Sequence, residues 1–166
     1  MDELEKKAFT LAEVFHQNQK YGNEPYTKHL RDVVDVLKRF GITNSDVLAA
    51  AWLHDAVEDT PLTIETVKEE FGDDVASLVY AVTTEPGKNR KERNAKTYPK
   101  IAAQPEAIYL KLADRIANVE ASLGNNKEKL KMYQKEFPDF LKALQQPGIA
   151  DEMWCLLEEL INSQAN

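Results

Sequence analysis

Apolar residues recur along this chain at three- and four-residue intervals, the period of a helix buried on one face. Residues 3–19 carry Leu4, Ala8, Leu11, Ala12 and Phe15 in one stripe, and the run YGNEP that follows breaks it with Gly22 and Pro25. The stripe resumes over 27–40 with Leu30, Val33, Val34, Leu37 and Phe40, and Gly41 supplies a stop. Ser45, or Asn44 or Asp46 beside it, can cap a third helix running through Val57. That helix is apolar on nearly every side (Val47, Leu48, Ala49, Ala50, Ala51, Trp52, Leu53), which predicts a central position. Thr63 caps a further helix through Phe71, with Gly72 as its stop, and 73–83 carries the stripe Val75, Leu78, Val79 and Val82. Residues 84–95 read as the longest loop. Pro105 opens a helix to about Leu123, and two more are expected over 127–145 and 149–163, separated by Pro147 and Gly148. No stretch alternates with period two, so no strand is predicted. The expected fold class is all-α, a single domain over 1–166 with seven to nine helices.

Composition narrows this picture. A chain of 166 residues, 43% hydrophobic and 30% charged, suits one soluble domain with a sizeable core. No apolar stretch approaches the roughly 20 residues that span a bilayer, so no membrane partner is expected. The acidic, amphipathic N-terminus does not resemble a signal peptide, and the expected location is cytoplasmic. The lone Cys155 excludes an internal disulfide and any multi-cysteine zinc site. Its setting, EMWCLLEEL, predicts a packed thiol on a helix face. The formal net charge of −7 argues against a general nucleic-acid binder, which needs a basic face. The charge is uneven, however. Residues 85–96, EPGKNRKERNAK, set five basic against two acidic side chains, which is +3 and leaves the rest of the chain at −10. A local basic segment on an acidic protein is suited to one small anion, although a solvated loop has the same composition.

Candidate chemistry concentrates in AAAWLHDAVEDTPLT, residues 49–63. On a helix, His54 lies beside Glu58, and Asp55 beside Glu58 and Asp59. Three carboxylates at a helix C-terminus oppose both one another and the helix dipole. A cation should compensate, and a divalent metal is the simplest. A second oddity is Asp114, set among Leu110, Leu112, Ala113, Ile116 and Ala117, where an unpartnered carboxylate is costly. Lys111 and Asn118 share its face. His29 stands where the second apolar stripe begins.

The pattern His…His-Asp…Asp resembles the HD-domain metal phosphohydrolases. AAWLHDAVEDT, together with the His16-to-His29 segment (H-x-x-Q…EPY-x-x-H), FGDDVASLVYAVT and LKLADRIANV, resembles the hydrolase domain of RelA/SpoT-type alarmone enzymes and their small single-domain relatives. The likeness is strongest over residues 8–123, with 124–166 as C-terminal helices. It implies that His29, His54, Asp55 and Asp114 ligate one divalent ion, usually manganese in that family, a donor set that suits Mn²⁺ or Fe²⁺ better than a closed zinc site. It further implies that Glu58 and Asp59 position and deprotonate the attacking water and that Asn118 touches substrate. Family members remove the 3′-pyrophosphate of guanosine tetra- or pentaphosphate, so a small nucleotide is the expected partner. Lys111, Arg90 and Lys91 are candidates for meeting its phosphates.

One stretch departs from the family. HQNQKYGNEPYTKH is about one residue shorter than its counterparts, and Lys20 and Tyr21 stand where an arginine usually stacks on the guanine. Lys20 can meet a phosphate and Tyr21 a base. The departure keeps a second substrate class in play, another nucleotide or a phosphorylated cofactor such as NADPH. A non-catalytic nucleotide-binding regulator is the alternative from a different class, and an intact set of six site residues speaks against it. Helix 149–163 is placed either to close the core or to form an interface, and in the second case the expected partner is another copy of the chain in a homo-oligomer.

Overall fold

In the computed structural model, residues 1–163 are described. They form ten helices and one short hairpin: α1 (Glu3–Phe15), β1 (Lys20–Tyr21), β2 (Glu24–Pro25), α2 (Thr27–Arg39), α3 (Ser45–Leu53), α4 (Ala56–Asp59), α5 (Ile64–Phe71), α6 (Asp73–Val82), α7 (Arg90–Ala102), α8 (Pro105–Ser122), α9 (Lys127–Leu144) and α10 (Asp151–Asn162). The all-α expectation holds, with more and shorter pieces than the periodicity implied. No described helix is long and apolar enough to cross a membrane.

The caps follow elementary chemistry. Asn44, rather than Ser45, starts α3, and its side chain accepts from the amides of Asp46 (2.9 Å) and Val47 (3.2 Å). Thr63 caps α5 as expected, and Pro105 occupies the first turn of α8, where its missing N–H costs nothing. α3 is the centre. Every residue from Val47 to Leu53 is buried, and the helix packs against α1, α2, α6 and α8. Trp52 anchors it. The ring meets Phe9 edge-on at 4.8 Å and its indole N–H points at the buried Glu5, whose charge Lys38 neutralises at 2.7 Å.

Five expectations require correction. The helix placed over 45–57 breaks at His54–Asp55 into α3 and α4. His54 Nδ1 takes the Ala51 carbonyl at 2.8 Å, an acceptor the next helical turn would otherwise use. The backbone stays near helical dihedrals there (Asp55 φ −95°, ψ −10°), so the break is a corner and not a reversal. The first helix stops at Phe15, well short of residue 19. A hairpin then occupies a segment in which no strand was expected: β1 and β2 pair antiparallel, Lys20 opposite Pro25 and Tyr21 opposite Glu24. Gly22 turns the chain at φ +63°, a conformation open to glycine, and Tyr26 N–H donates to Gln19 C=O at 3.1 Å to close the hairpin's ends. The loop placed over 84–95 contains the start of α7, which Asn89 caps. Only Thr97, Tyr98 and Ile101 of that helix are buried, too few to show as a stripe. Cys155 is exposed, not packed; its neighbours Met153, Trp154 and Leu157 carry the burial of α10, which packs on α8 and so closes the core.

Candidate metal centre

Three elements converge on one point. α2 supplies His29, the α3–α4 corner supplies His54 and Asp55, and α8 supplies Asp114. One donor atom each from His29, His54 and Asp55 lies within 4.8 Å of the others. Asp114 Oδ1 sits 3.2 Å from His29 Nε2 and 3.7 Å from His54 Nε2, and Asp55 Oδ2 sits 3.6 Å and 3.0 Å from the same atoms. The two histidines and Asp114 are all buried.

The donor set can be tested for its fit to a cation. His54 Nδ1–H donates to Ala51, which leaves Nε2 as a bare, buried nitrogen without a hydrogen-bond partner, facing the Asp55 and Asp114 carboxylates. Lone pairs facing lone pairs in a site of low polarity repel unless a proton or a metal ion lies between them. Electrostatics agree. Burial alone would lower the His54 pKa, but Asp55 and then Asp114 overcome it and hold the imidazole well above its usual range. Burial would raise Asp55 and Asp114, yet His54 holds Asp55 below the ordinary carboxylate range, and Lys111 and the two histidines hold Asp114 well below it. Two imidazoles and two carboxylates that all favour positive charge between them fit a divalent ion.

Surrounding side chains fix this set. Tyr26 Oη donates to Asp55 Oδ2 at 2.6 Å; burial, and then that carboxylate, push the phenol far above its usual pKa. Lys111 Nζ binds Asp114 Oδ2 at 2.9 Å, and Asn118 Nδ2 donates to Asp114 Oδ1 at 2.7 Å. Both thus share the face of Asp114 that their spacing placed them on. Tyr21 stacks on His29 with ring centroids 4.9 Å apart and donates its hydroxyl to Asn118 Oδ1 at 2.9 Å. Burial, then Asp114, push the Tyr21 phenol up to about 12. Lys129 caps the stack. Its Nζ lies 5.0 Å from the Tyr21 ring centroid and 3.3 Å from Asn118 Oδ1, and burial lowers its pKa.

Glu58 and Asp59 project from α4, one turn beyond the His-Asp pair, and both are exposed. Each is tethered: the Thr84 amide donates to Glu58 Oε1, and Gln19 Nε2 donates to Asp59 Oδ2 at 2.8 Å. Lys20 lies exposed on the hairpin. Arg90 is engaged by Glu136 of α9, a carboxylate that the buried Arg115 shares at 3.2 Å. Arg90 and Lys91 line a cleft of about 630 Å³ between α7 and α9, and none of the four converging residues lines it. Sequence reasoning overlooked Tyr26 and Lys129. Tyr26 carried a signal, since it lies three residues before His29 and hence on the same helical face; Lys129 carried none, because its approach to Tyr21 is purely tertiary.

An all-α bundle presenting a buried His/His-Asp/Asp cluster defines a class. The HD domain family matches residues 8–144, and this chain belongs to it. Relatives within that class narrow the likeness. The fold superposes on a solved structure of a metazoan orthologue of SpoT, described as hydrolysing ppGpp, with a TM-score of 0.86 and 27% identity over 99% of this chain and 97% of that one. A Listeria monocytogenes structure matches 81% of this chain and 99% of its own at a TM-score of 0.63 and 28% identity. Among curated relatives, the guanosine-3′,5′-bis(diphosphate) 3′-pyrophosphohydrolase of Aquifex aeolicus is 38% identical over 136 residues, 79% of this chain. The Danio rerio protein of the same name is 35% identical over 111 residues, 63% of this chain. This chain spans 19% of the Aquifex protein's length and 61% of the Danio one's.

Proposed function

We propose that this chain is a Mn²⁺-dependent hydrolase that removes the 3′-pyrophosphate from guanosine tetra- or pentaphosphate, giving GDP or GTP and pyrophosphate. The observation that carries the reading is the cluster itself: four donors aimed at one point, with two tethered carboxylates one helical turn away, on a fold that superposes nearly end to end on a ppGpp-hydrolysing relative. His29, His54, Asp55 and Asp114 would hold the ion. When bound, it supplies Lewis acidity to a phosphoryl oxygen and a lowered pKa to water.

The protein's own groups do the rest. Glu58 and Asp59 orient a water and accept its proton as it attacks the phosphorus attached to O3′. The P–O3′ bond breaks, O3′ takes up a proton, and pyrophosphate departs. Asn118, Lys111 and Lys129 place donors and positive charge beside the reacting phosphates, where charge neutralisation dominates the barrier. Arg90 and Lys91 serve a more distant phosphate or only the surface of α7. The expected setting is the cytoplasm, with one HD domain over 1–166, alone or as a homo-oligomer.

A second reading keeps the chemistry and changes the substrate to another nucleotide or a phosphorylated cofactor such as NADPH. The Tyr21 ring favours it: one face lies on His29 while the hydroxyl engages Asn118, so Tyr21 is no open platform for guanine. A panel of these substrates incubated with Mn²⁺-loaded protein, scored for phosphate and pyrophosphate release, separates the two. Release of pyrophosphate from guanosine tetraphosphate supports the first; release only of phosphate from NADPH replaces it. Glu58→Gln should abolish turnover while metal analysis still finds one ion per chain. Loss of the ion with the activity would make Glu58 a ligand instead.

A further inference from the structure

Outside the converging donors lies a buried histidine that the reaction does not use. His16 is 2% exposed, at the end of α1. Its Nδ1 lies 2.7 Å from Gln19 Oε1, and Gln19 Nε2 lies 2.8 Å from Asp59 Oδ2. The direction of this chain is fixed from its far end. A carboxylate only accepts, so Gln19 must turn its NH₂ to Asp59 and its carbonyl to His16, and His16 Nδ1 must then carry the proton. The other nitrogen, Nε2, is buried without a partner, where a bare lone pair is tolerated far better than an N–H. The same imidazole lies flat on Tyr26, with centroids 4.7 Å apart and planes 23° from parallel. Tyr26 is the donor that holds Asp55.

We infer that His16 and Gln19 are positioning residues: Gln19, held by His16, fixes the Asp59 carboxylate, while His16 itself braces the Tyr26 ring that holds Asp55, so that water-handling and metal-binding groups share one anchor in His16. The role at Asp59 rests on the reading that Asp59 acts on the attacking water. Asp59 is exposed on a one-turn helix, too short to order its own side chains, and Gln19 is the only side chain among the described residues that hydrogen-bonds it. A single charge-assisted hydrogen bond that orients a catalytic carboxylate is expected to be worth about tenfold in rate.

The test is a double-mutant cycle with guanosine tetraphosphate and Mn²⁺. Gln19→Met keeps the length of a half-buried side chain and removes both hydrogen bonds. It should lower kcat about tenfold with KM and bound metal unchanged, and should cost nothing further in an Asp59→Asn background measured under single-turnover conditions. An unchanged kcat, or the same fold-loss in both backgrounds, would overturn the inference. Asp59→Asn turning over at the wild-type rate would overturn the role of Asp59, and this role for Gln19 with it. A readout independent of activity uses the wild-type protein. The chain has three histidines, so ¹⁵N imidazole spectra are readily assigned. His16 should be locked with its proton on Nδ1, and mixed tautomers there would refute the hydrogen-bond chain outright.

Discussion

At the scale of single residues, the groups around the donors decide how tightly a metal is held. Tyr26→Phe removes one hydrogen bond to Asp55 and almost no volume. Loss of such a supporting bond typically weakens metal affinity 10- to 100-fold, so Mn²⁺ titration calorimetry should show at least about a tenfold rise in Kd with little change in melting temperature. His54, Asp55, Asp114, Glu58 and Asp59 stood out in the sequence because charged residues set in or beside apolar runs are visible against them, whereas His29 was singled out only by the family resemblance. Lys111 and Asn118 were legible through helical spacing alone. His16 and Lys129 were not assigned roles, since a histidine or a lysine near a turn carries no signature until its tertiary neighbours are known; Tyr26 was passed over although its spacing from His29 was visible. Tyr21, which the sequence offered as a residue for meeting a base, has one ring face stacked on His29.

At the scale of elements, helix ends carry the testable weight. Asn44 holds two amides at the start of the central helix, and Asn44→Ala should cost about 1 kcal/mol, lowering the melting temperature by roughly 2–4 °C in a domain of this size. Asp2 caps α1 and gives a pH dependence. Its carboxyl is held below the ordinary value by the Glu5 amide, and then by Ser45. A group lowered in the folded state stabilises it above the unfolded pKa, near 3.9, and that contribution fades as pH falls towards the folded value. Amide protection in the first turn of α1 should therefore drop below about pH 4 while protection in α3 persists, as hydrogen exchange would report. Elements with one buried stripe were legible from period alone. α7 was missed because its first turns are charged on every side and a side-chain cap, not an apolar face, starts it. The hairpin was missed because two residues per strand are too few to alternate.

For the molecule as a whole, a bound ion would tie together three helices distant in sequence: α2, the end of α3, and α8. Anything that binds only the folded state stabilises it by mass action, about 2.7 kcal/mol at a hundredfold excess over Kd. Calorimetric scans should therefore show the melting temperature rising by several degrees with excess Mn²⁺ and returning on chelation; an unchanged transition would mean that the donors hold no ion. The corner at His54–Asp55 also divides the segment by what a replacement in it would disturb. Val47–Leu53 before it are all buried, whereas Glu58 and Asp59 after it are exposed and each held by a single tether. Replacements in Val47–Leu53 are thus felt as folding defects, whereas replacements at Glu58, Asp59 or their tethers leave the bundle standing. One short peptide segment contains both a region that selection must conserve for folding and a region it conserves only for the chemistry, and the boundary between them is a single turn wide.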